Sequence, residues 1–124
     1  MLPLKTTLFV NGISSGITGL GLVIFAPQAA TLLGVAGATP IVRETGIFLV
    51  LFSILVIFAA LNRRAGIVKL ITTLDITWVL GSVLLIALAG SSLSAIGIAA
   101  IAMVACWVGL MAFLQRQGLK AVLN

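Results

Sequence analysis

The 124-residue sequence contains only two acidic residues, and one of them, Asp75, lies well inside a long apolar stretch. About eight residues precede Asp75 in that stretch, which corresponds to roughly 12 Å of helix. A carboxylate at this depth in a membrane costs on the order of 2.5–3.5 kcal/mol, so it should face other helices and have a partner or a proton. Asp75 is therefore the first candidate for chemistry, as a proton or cation site or as a polar contact to a small ligand.

The residues near Asp75 also permit a purely structural interpretation. Trp78 and Ser82 share the helical face of Asp75, and Thr72 lies one turn before it. Asn11 lies at a comparable depth in another apolar stretch, so an Asn11–Asp75 hydrogen bond between two helices is geometrically possible. The sequence contains no His, and its other acid is distant from Asp75, so no proton relay is evident. Both interpretations stay open.

Arg43 and Glu44 form the other candidate polar pair, in the first turn of a predicted helix. A carboxylate near a helix N-terminus is favoured by the helix dipole. A long arginine side chain can extend to lipid headgroups. We interpret the pair as an anchor. The alternative is that Glu44 and Asp75 belong to one polar path, which would need Ser, Thr or water between them.

No sequence pattern indicates catalysis. The sequence lacks a nucleophile paired with a base, a phosphate-binding loop and a dinucleotide fingerprint. Without His, and with Cys106 as the sole cysteine, it lacks the usual ligand set for a metal or haem. Cys106 lies in an apolar run, where a free cysteine behaves as a small hydrophobe. We expect a non-enzymatic protein with no cofactor.

The composition indicates that these residues are carried by membrane helices. The chain is 62% hydrophobic and 7% charged, with a mean hydropathy of +1.38, whereas soluble domains contain about 25% charged residues. Four windows are long enough to span a bilayer, at about 6–26, 41–61, 67–89 and 93–114. Pro27 closes the first, Thr39-Pro40 opens the second, and Ser91 or Ser92 could cap the fourth. The prediction is a single all-α domain, 1–124, folded as a four-helix transmembrane bundle.

Two shorter segments are predicted to lie at the membrane surface. "PQAATLLG", from Pro27 to Gly34, is too short to span and could form an interfacial helix between the first two spans. "LQRQGLKAVLN", after the fourth span, is typical of an amphipathic tail on the cytoplasmic surface.

The basic residues predict the orientation. Six of the seven fall on one side of a four-span arrangement, and Arg43 alone falls on the other; the six are Lys5, Arg63, Arg64, Lys69, Arg116 and Lys120. The positive-inside rule then places both termini in the cytoplasm. The same residues can bind anionic lipid headgroups. A net charge of +5 segregated in this way is not typical of a nucleic-acid-binding protein.

Small residues recur at helical spacing along two seams. One seam, in the first span, consists of Gly12, Ser15, Gly16 and Gly19; the other, in the fourth, consists of Ala95, Ala99, Ala102, Cys106 and Gly109. Membrane helices associate by close backbone approach and interhelical hydrogen bonds. We expect both seams to pack inside the bundle. The alternative is that one seam forms a homo-oligomer or holds a subunit of a larger membrane complex.

Three stretches carry a family resemblance: "NGISSGITGLGLVIFAPQAATLLG", "RETGIFLVLFSILVIFAA" and "TLDITWVLGSVLL". With them, the chain resembles small uncharacterised four-span integral membrane proteins of bacteria, some of which are grouped loosely with DoxX-like proteins. The resemblance implies a location in the bacterial inner membrane and no defined activity.

Three functional hypotheses follow from the sequence. The first is a non-enzymatic structural or accessory membrane protein that packs with itself or with a larger complex through its small-residue seams. The second is a small transporter or channel subunit that uses Asp75, with Asn11 and Glu44 as polar lining. The third is the binding of a lipid or quinone between helices near Trp78.

Overall fold

The computed structural model describes residues 3–62 and 64–123, and this part of the chain is 93% helical with no strand. Arg63 lies outside the described residues. The helices are α1 (Leu4–Ile24), α2 (Ala26–Leu32), α3 (Thr39–Asn62), α4 (Ala65–Ala89) and α5 (Ala95–Leu123), with short 3-10 turns at Ala36–Ala38 and Gly90–Ser92. Four of these helices, all except α2, are long and apolar enough to cross a membrane. The predicted all-α class is confirmed, and the chain is an integral membrane protein.

Proline and glycine determine where the chain turns between α1 and α3. Pro27 lies in the first turn of α2, where its missing N–H costs nothing, so α1 ends at Ile24 and α2 begins at Ala26. Gly34 has a φ of +84°, and the Val35 N–H donates to the Ala30 carbonyl at 2.9 Å, which terminates α2. The short helix predicted from Pro27 to Gly34 is thus present as a helix of seven residues, Ala26–Leu32.

The closest helix pair is α1 with α3. An added Cβ at Gly19 would lie 2.7 Å from the Gly46 carbonyl oxygen, and one at Gly46 would lie 2.7 Å from the Gly19 carbonyl oxygen. An added Cβ at Gly12 would lie 2.6 Å from Ile57 Cδ1, and an added Cβ at Gly16 would lie 3.1 Å from Ser53 Oγ. At Gly19 and Gly46, where the nearest atoms belong to backbone, the glycines therefore permit a backbone approach that a larger residue would disturb.

The second hairpin consists of α4 and α5, and its cap differs from the predicted one. Ser94, rather than Ser91 or Ser92, caps α5, because its Oγ accepts a hydrogen bond from the Gly97 N–H at 2.9 Å. The Ser94 hydroxyl also donates to the Leu32 carbonyl at 2.7 Å. The prediction of Ser91 or Ser92 was wrong because the chain stays in a 3-10 turn through Ser92.

The C-terminal segment is part of the bundle, not a separate surface tail. α5 continues without a break to Leu123, and Gln115, Gly118 and Leu119 are buried. An added Cβ at Gly118 would lie 3.0 Å from Leu4 Cβ, so the last turns of α5 pack against the start of α1.

The two ends of the bundle have different packing. At the end that carries the termini, here the termini end, one apolar cluster joins α1, α3, α4 and α5; it comprises Leu4, Leu8, Phe52, Val56, Ala59, Ala60, Val68, Ile71 and Leu119. At the opposite end, here the α2 end, a smaller cluster joins Ala26, Ala30 and Val42. The termini end is closed by packing, whereas the helices enclose a cavity toward the α2 end.

Candidate functional site

Three helices bring one polar side chain each to a common point inside the bundle. Asn11 of α1, Asp75 of α4 and Gln115 of α5 are 1%, 2% and 0% exposed. Asn11 Nδ2 donates to Asp75 Oδ2 at 3.2 Å and to Gln115 Oε1 at 2.6 Å, and Gln115 Nε2 donates to Asp75 Oδ2 at 3.0 Å. We call this arrangement the amide–carboxyl cluster. It contains the Asn11–Asp75 hydrogen bond that the sequence indicated as possible.

Two hydroxyls extend the hydrogen bonding of the cluster. Gln115 Nε2 also donates to Thr72 Oγ1 at 3.3 Å, and Ser15 Oγ donates to Asn11 Oδ1 at 3.3 Å. Among the described residues, the side chains that hydrogen-bond Asp75 are therefore two neutral amides, and neutral hydroxyls bond these amides in turn. The cluster also connects the two hairpins, since α1 belongs to one and α4 and α5 to the other.

An aromatic ring lies one helical turn from the cluster. Trp78 is half-buried, and its ring stacks on Phe48 of α3 with ring centroids 6.5 Å apart and planes 8° from parallel. The Trp107 indole N–H donates to Ser14 Oγ at 3.1 Å, whereas the Trp78 indole N–H has no hydrogen bond to a described residue. Tryptophan N–H groups usually find a partner when buried, so Trp78 offers a spare donor.

A cavity of about 570 Å³ opens beside Trp78, between the halves of α1, α3, α4 and α5 that lie toward the α2 end. Leucine, isoleucine, valine and alanine side chains form most of its wall. Its few polar side chains are Thr18, Thr45, Trp78, Ser82 and Ser92. Ligand sites in proteins typically measure about 300–1,000 Å³ and combine apolar walls with a few polar groups. The cavity fits that description.

Arg43 and Glu44 do not join this site. Both side chains are exposed near the start of α3, whereas Asp75 is buried against Asn11 and Gln115. In the described part of the chain, no hydrogen bond or ion pair links Glu44 to the amide–carboxyl cluster. The alternative of a polar path from Glu44 to Asp75 through Ser, Thr or water stays a prediction.

The two small-residue seams differ in their surroundings. Gly12, Gly16 and Gly19 lie against α3, and Ser15 bonds the amide–carboxyl cluster. The seam in α5 mostly faces outward; Ala95, Ala99 and Cys106 are exposed, and Ala102 and Gly109 are half-buried. The expectation that this second seam packs inside the bundle was wrong, because α5 turns another face, including Ala105, Ala112 and Gln115, to the interior. A homo-oligomer or accessory role through this seam stays a prediction.

Gln115 is the site residue that the sequence interpretation missed, because the fourth span was ended one residue before it. A signal was available at helical spacing. Gln115 follows Met111 by four residues and precedes Gly118 and Leu119 by three and four, which places a polar residue on an otherwise apolar helical face.

Comparison with known proteins adds no family assignment. A scan against protein-family models, a search of curated proteins and a search of solved structures found no match to this chain.

Proposed function

We propose that this protein is a non-enzymatic, multi-pass membrane protein that binds a lipid-soluble small molecule in the cavity beside Trp78. The observation that carries the proposal is the cavity itself, about 570 Å³ in volume and almost entirely apolar in its walls. A pre-formed apolar pocket with a few polar groups between helices is a usual location for a ligand in a helical bundle.

The polar groups of the wall define the chemistry of the ligand. The Trp78 indole N–H has no hydrogen-bond acceptor among the described residues, and the Ser82 hydroxyl, which donates to the Trp78 carbonyl at 2.8 Å, can still accept a hydrogen bond. A suitable ligand is mostly hydrocarbon and carries a hydrogen-bonding oxygen. Lipid esters and quinones share this chemistry, and the experiment below distinguishes them.

The distribution of charge supports a membrane placement for the proposed protein. Exposed basic residues accumulate at the termini end; they are Lys5, Arg64, Lys69, Arg116 and Lys120. By the positive-inside rule this end faces the cytoplasm of a bacterial inner membrane, where it contacts anionic headgroups. The cavity then opens in the outer half of the bilayer, and α2 lies at the outer interface.

Tryptophan fluorescence tests the proposal directly. The chain has two tryptophans and no tyrosine, so a Trp107→Phe variant leaves Trp78 as the sole strong fluorophore. We expect a brominated phosphatidylcholine or a short-chain quinone to quench Trp78 emission saturably. Saturation by only one of the two probes identifies the ligand class. Quenching that stays linear with concentration for both would contradict a site.

Two glycine substitutions provide a matched pair for the same measurement. An added Cβ meets nothing within 4 Å at either Gly81, which lines the cavity, or Gly21, which does not. Gly81→Leu should fill the cavity and raise the probe concentration for half-maximal quenching at least tenfold. Gly21→Leu should leave that concentration within twofold of the parent value. Equal effects of the two substitutions would exclude the cavity as the binding site.

A further inference from the structure

We propose that the cavity takes lipophilic organic cations, which the Asp75 carboxylate binds in exchange for a proton. This inference rests on the proposed ligand-binding function and specifies one class of ligand for it. It assigns a chemical role to Asp75, which the ligand of the preceding proposal does not need.

The first argument is charge. Asn11 of α1 and Gln115 of α5 hydrogen-bond Asp75 directly, and Thr72, on the same helix as Asp75, hydrogen-bonds Gln115. None of these three side chains titrates. Apart from Asp75, the charged residues whose side chains are described are all exposed; they are Lys5, Arg43, Glu44, Arg64, Lys69, Arg116 and Lys120. An acid in an apolar interior is neutral when it carries a proton, and otherwise it requires a cation. The described part of the chain supplies no such cation.

The second argument is access. Both amide donors bond Asp75 Oδ2, and no described residue donates to Oδ1. Trp78, three residues farther along α4, lines the cavity. Asp75 itself does not line the cavity, but residues three apart on a helix have Cβ atoms about 5–6 Å apart, so its carboxyl group lies about one helical turn from the Trp78 end.

The third argument is the chemistry of the surroundings. The face of an indole ring attracts a cation, and tryptophan is the strongest of the aromatic residues in this respect. The apolar walls can contact a hydrocarbon body but cannot replace the water shell of a small inorganic ion. The site therefore selects cations whose charge is dispersed over, or attached to, a large apolar body.

The exchange balances in charge and atoms. The O–H bond of the Asp75 carboxylic acid breaks, the proton leaves for solvent, and the organic cation pairs with the resulting carboxylate. No redox step or covalent bond to the ligand is involved. Since proton and cation compete for one carboxylate, the affinity for the cation should increase with pH.

The experiment uses tetraphenylphosphonium, a permanently charged lipophilic cation, with the Trp107→Phe protein in detergent. Trp78 fluorescence reports binding, and a pH indicator in weakly buffered solution reports proton release. Asp75→Asn keeps the size of the side chain and a carbonyl acceptor for both amides. Glu44→Gln is the matched control, because it removes the only other acid of the chain, which is exposed.

We expect tetraphenylphosphonium to bind the parent protein with release of up to one proton, and with higher affinity at higher pH. Asp75→Asn should weaken its binding at least tenfold, whereas Glu44→Gln should change it less than twofold. Equal affinity of Asp75→Asn and the parent for the cation would overturn the proposal. The proposal would also be overturned if the affinity of the parent protein for the cation did not change with pH. That measurement does not depend on the folding of any variant.

The neutral probes separate this proposal from the preceding one. If Asp75→Asn loses the cation but still shows saturable quenching by the neutral probe, the cavity is intact and the role of Asp75 is supported. If neutral probe and cation both fail to bind the parent, the cavity function fails. If the neutral probe binds and the cation does not, the cation inference alone is overturned.

Discussion

The hydrogen bonds of Asp75 come from residues that are far apart in sequence. Asn11 and Gln115 are 64 and 40 residues from Asp75, and they contact each other as well as the carboxyl group. Each amide therefore satisfies two partners, and loss of either would leave a polar atom without its bond in an apolar interior. Interhelical hydrogen bonds in membranes average about 0.6 kcal/mol and reach about 1.7 kcal/mol.

Replacing Gln115 tests the energetic contribution of the cluster. Gln115→Leu removes donors to Asp75 and Thr72 and the acceptor for Asn11, so it should lower the free energy of unfolding by about 1–2 kcal/mol. Gln117→Leu, on another face of α5, should change it by less than about 0.5 kcal/mol. Reversible unfolding in mixed micelles measures both. Equal stabilities of the two variants would contradict a stabilising role for Gln115.

At the level of helices, glycine determines which pair packs most closely. α1 and α3 approach at Gly19 and Gly46, where each glycine lies against the other's carbonyl oxygen. α3 and α4 both line the cavity, and the Phe48–Trp78 stack joins them beside it. The cavity lies between the glycine-packed α1–α3 pair and the α4–α5 hairpin, which meet at its end where the Ser94 hydroxyl bonds the Leu32 carbonyl.

Gly19→Ala should force α1 and α3 apart, because the new methyl group would lie 2.7 Å from the Gly46 carbonyl oxygen and 2.9 Å from the Val50 nitrogen. We expect a loss of about 1–3 kcal/mol in unfolding free energy. Gly21→Ala, which meets nothing within 4 Å, should change stability by less than about 1 kcal/mol. Thermal unfolding in detergent compares them, and a Gly19→Ala protein as stable as Gly21→Ala would show that this contact is not needed.

For the whole molecule, the distribution of charge and packing distinguishes the two ends. The termini end combines a continuous apolar cluster with exposed basic residues, whereas the α2 end contains the cavity and exposed Arg43 and Glu44. A binding site that opens on one side of a bilayer requires such an asymmetry. The proposed orientation would place the opening in the outer leaflet.

Cysteine labelling tests this orientation. Cys106→Ala removes the native thiol, and single cysteines are then introduced as Lys5→Cys, Lys120→Cys, Gln28→Cys or Ser91→Cys. A membrane-impermeant maleimide should label the last two in intact spheroplasts and the first two only in inverted vesicles. The unmodified Cys106→Ala protein provides the background. Labelling of Lys5→Cys and Lys120→Cys from opposite sides would exclude the proposed topology.

The sequence by itself determined the features that depend on local composition. Four apolar stretches had to become helices, because only helices and closed barrels satisfy the backbone inside a membrane. Pro27 and Gly34 marked α2, and the depth of Asp75 in an apolar span required a polar partner or a proton, with Asn11 as a candidate partner. These conclusions depend on short-range chemistry or on the cost of burying a charge, so they could be drawn without coordinates.

Only the tertiary structure decided which helical faces meet. A helix that is apolar all round has no pattern that sets its rotation, so the sequence did not reveal that α5 turns Gln115 inward and Cys106 outward. The cavity has the same origin, since residues of all four long helices line it and no single segment defines it. Ser94 became the cap because the connection from α4 stays in a 3-10 turn before α5 begins, and its hydroxyl there reaches the end of α2.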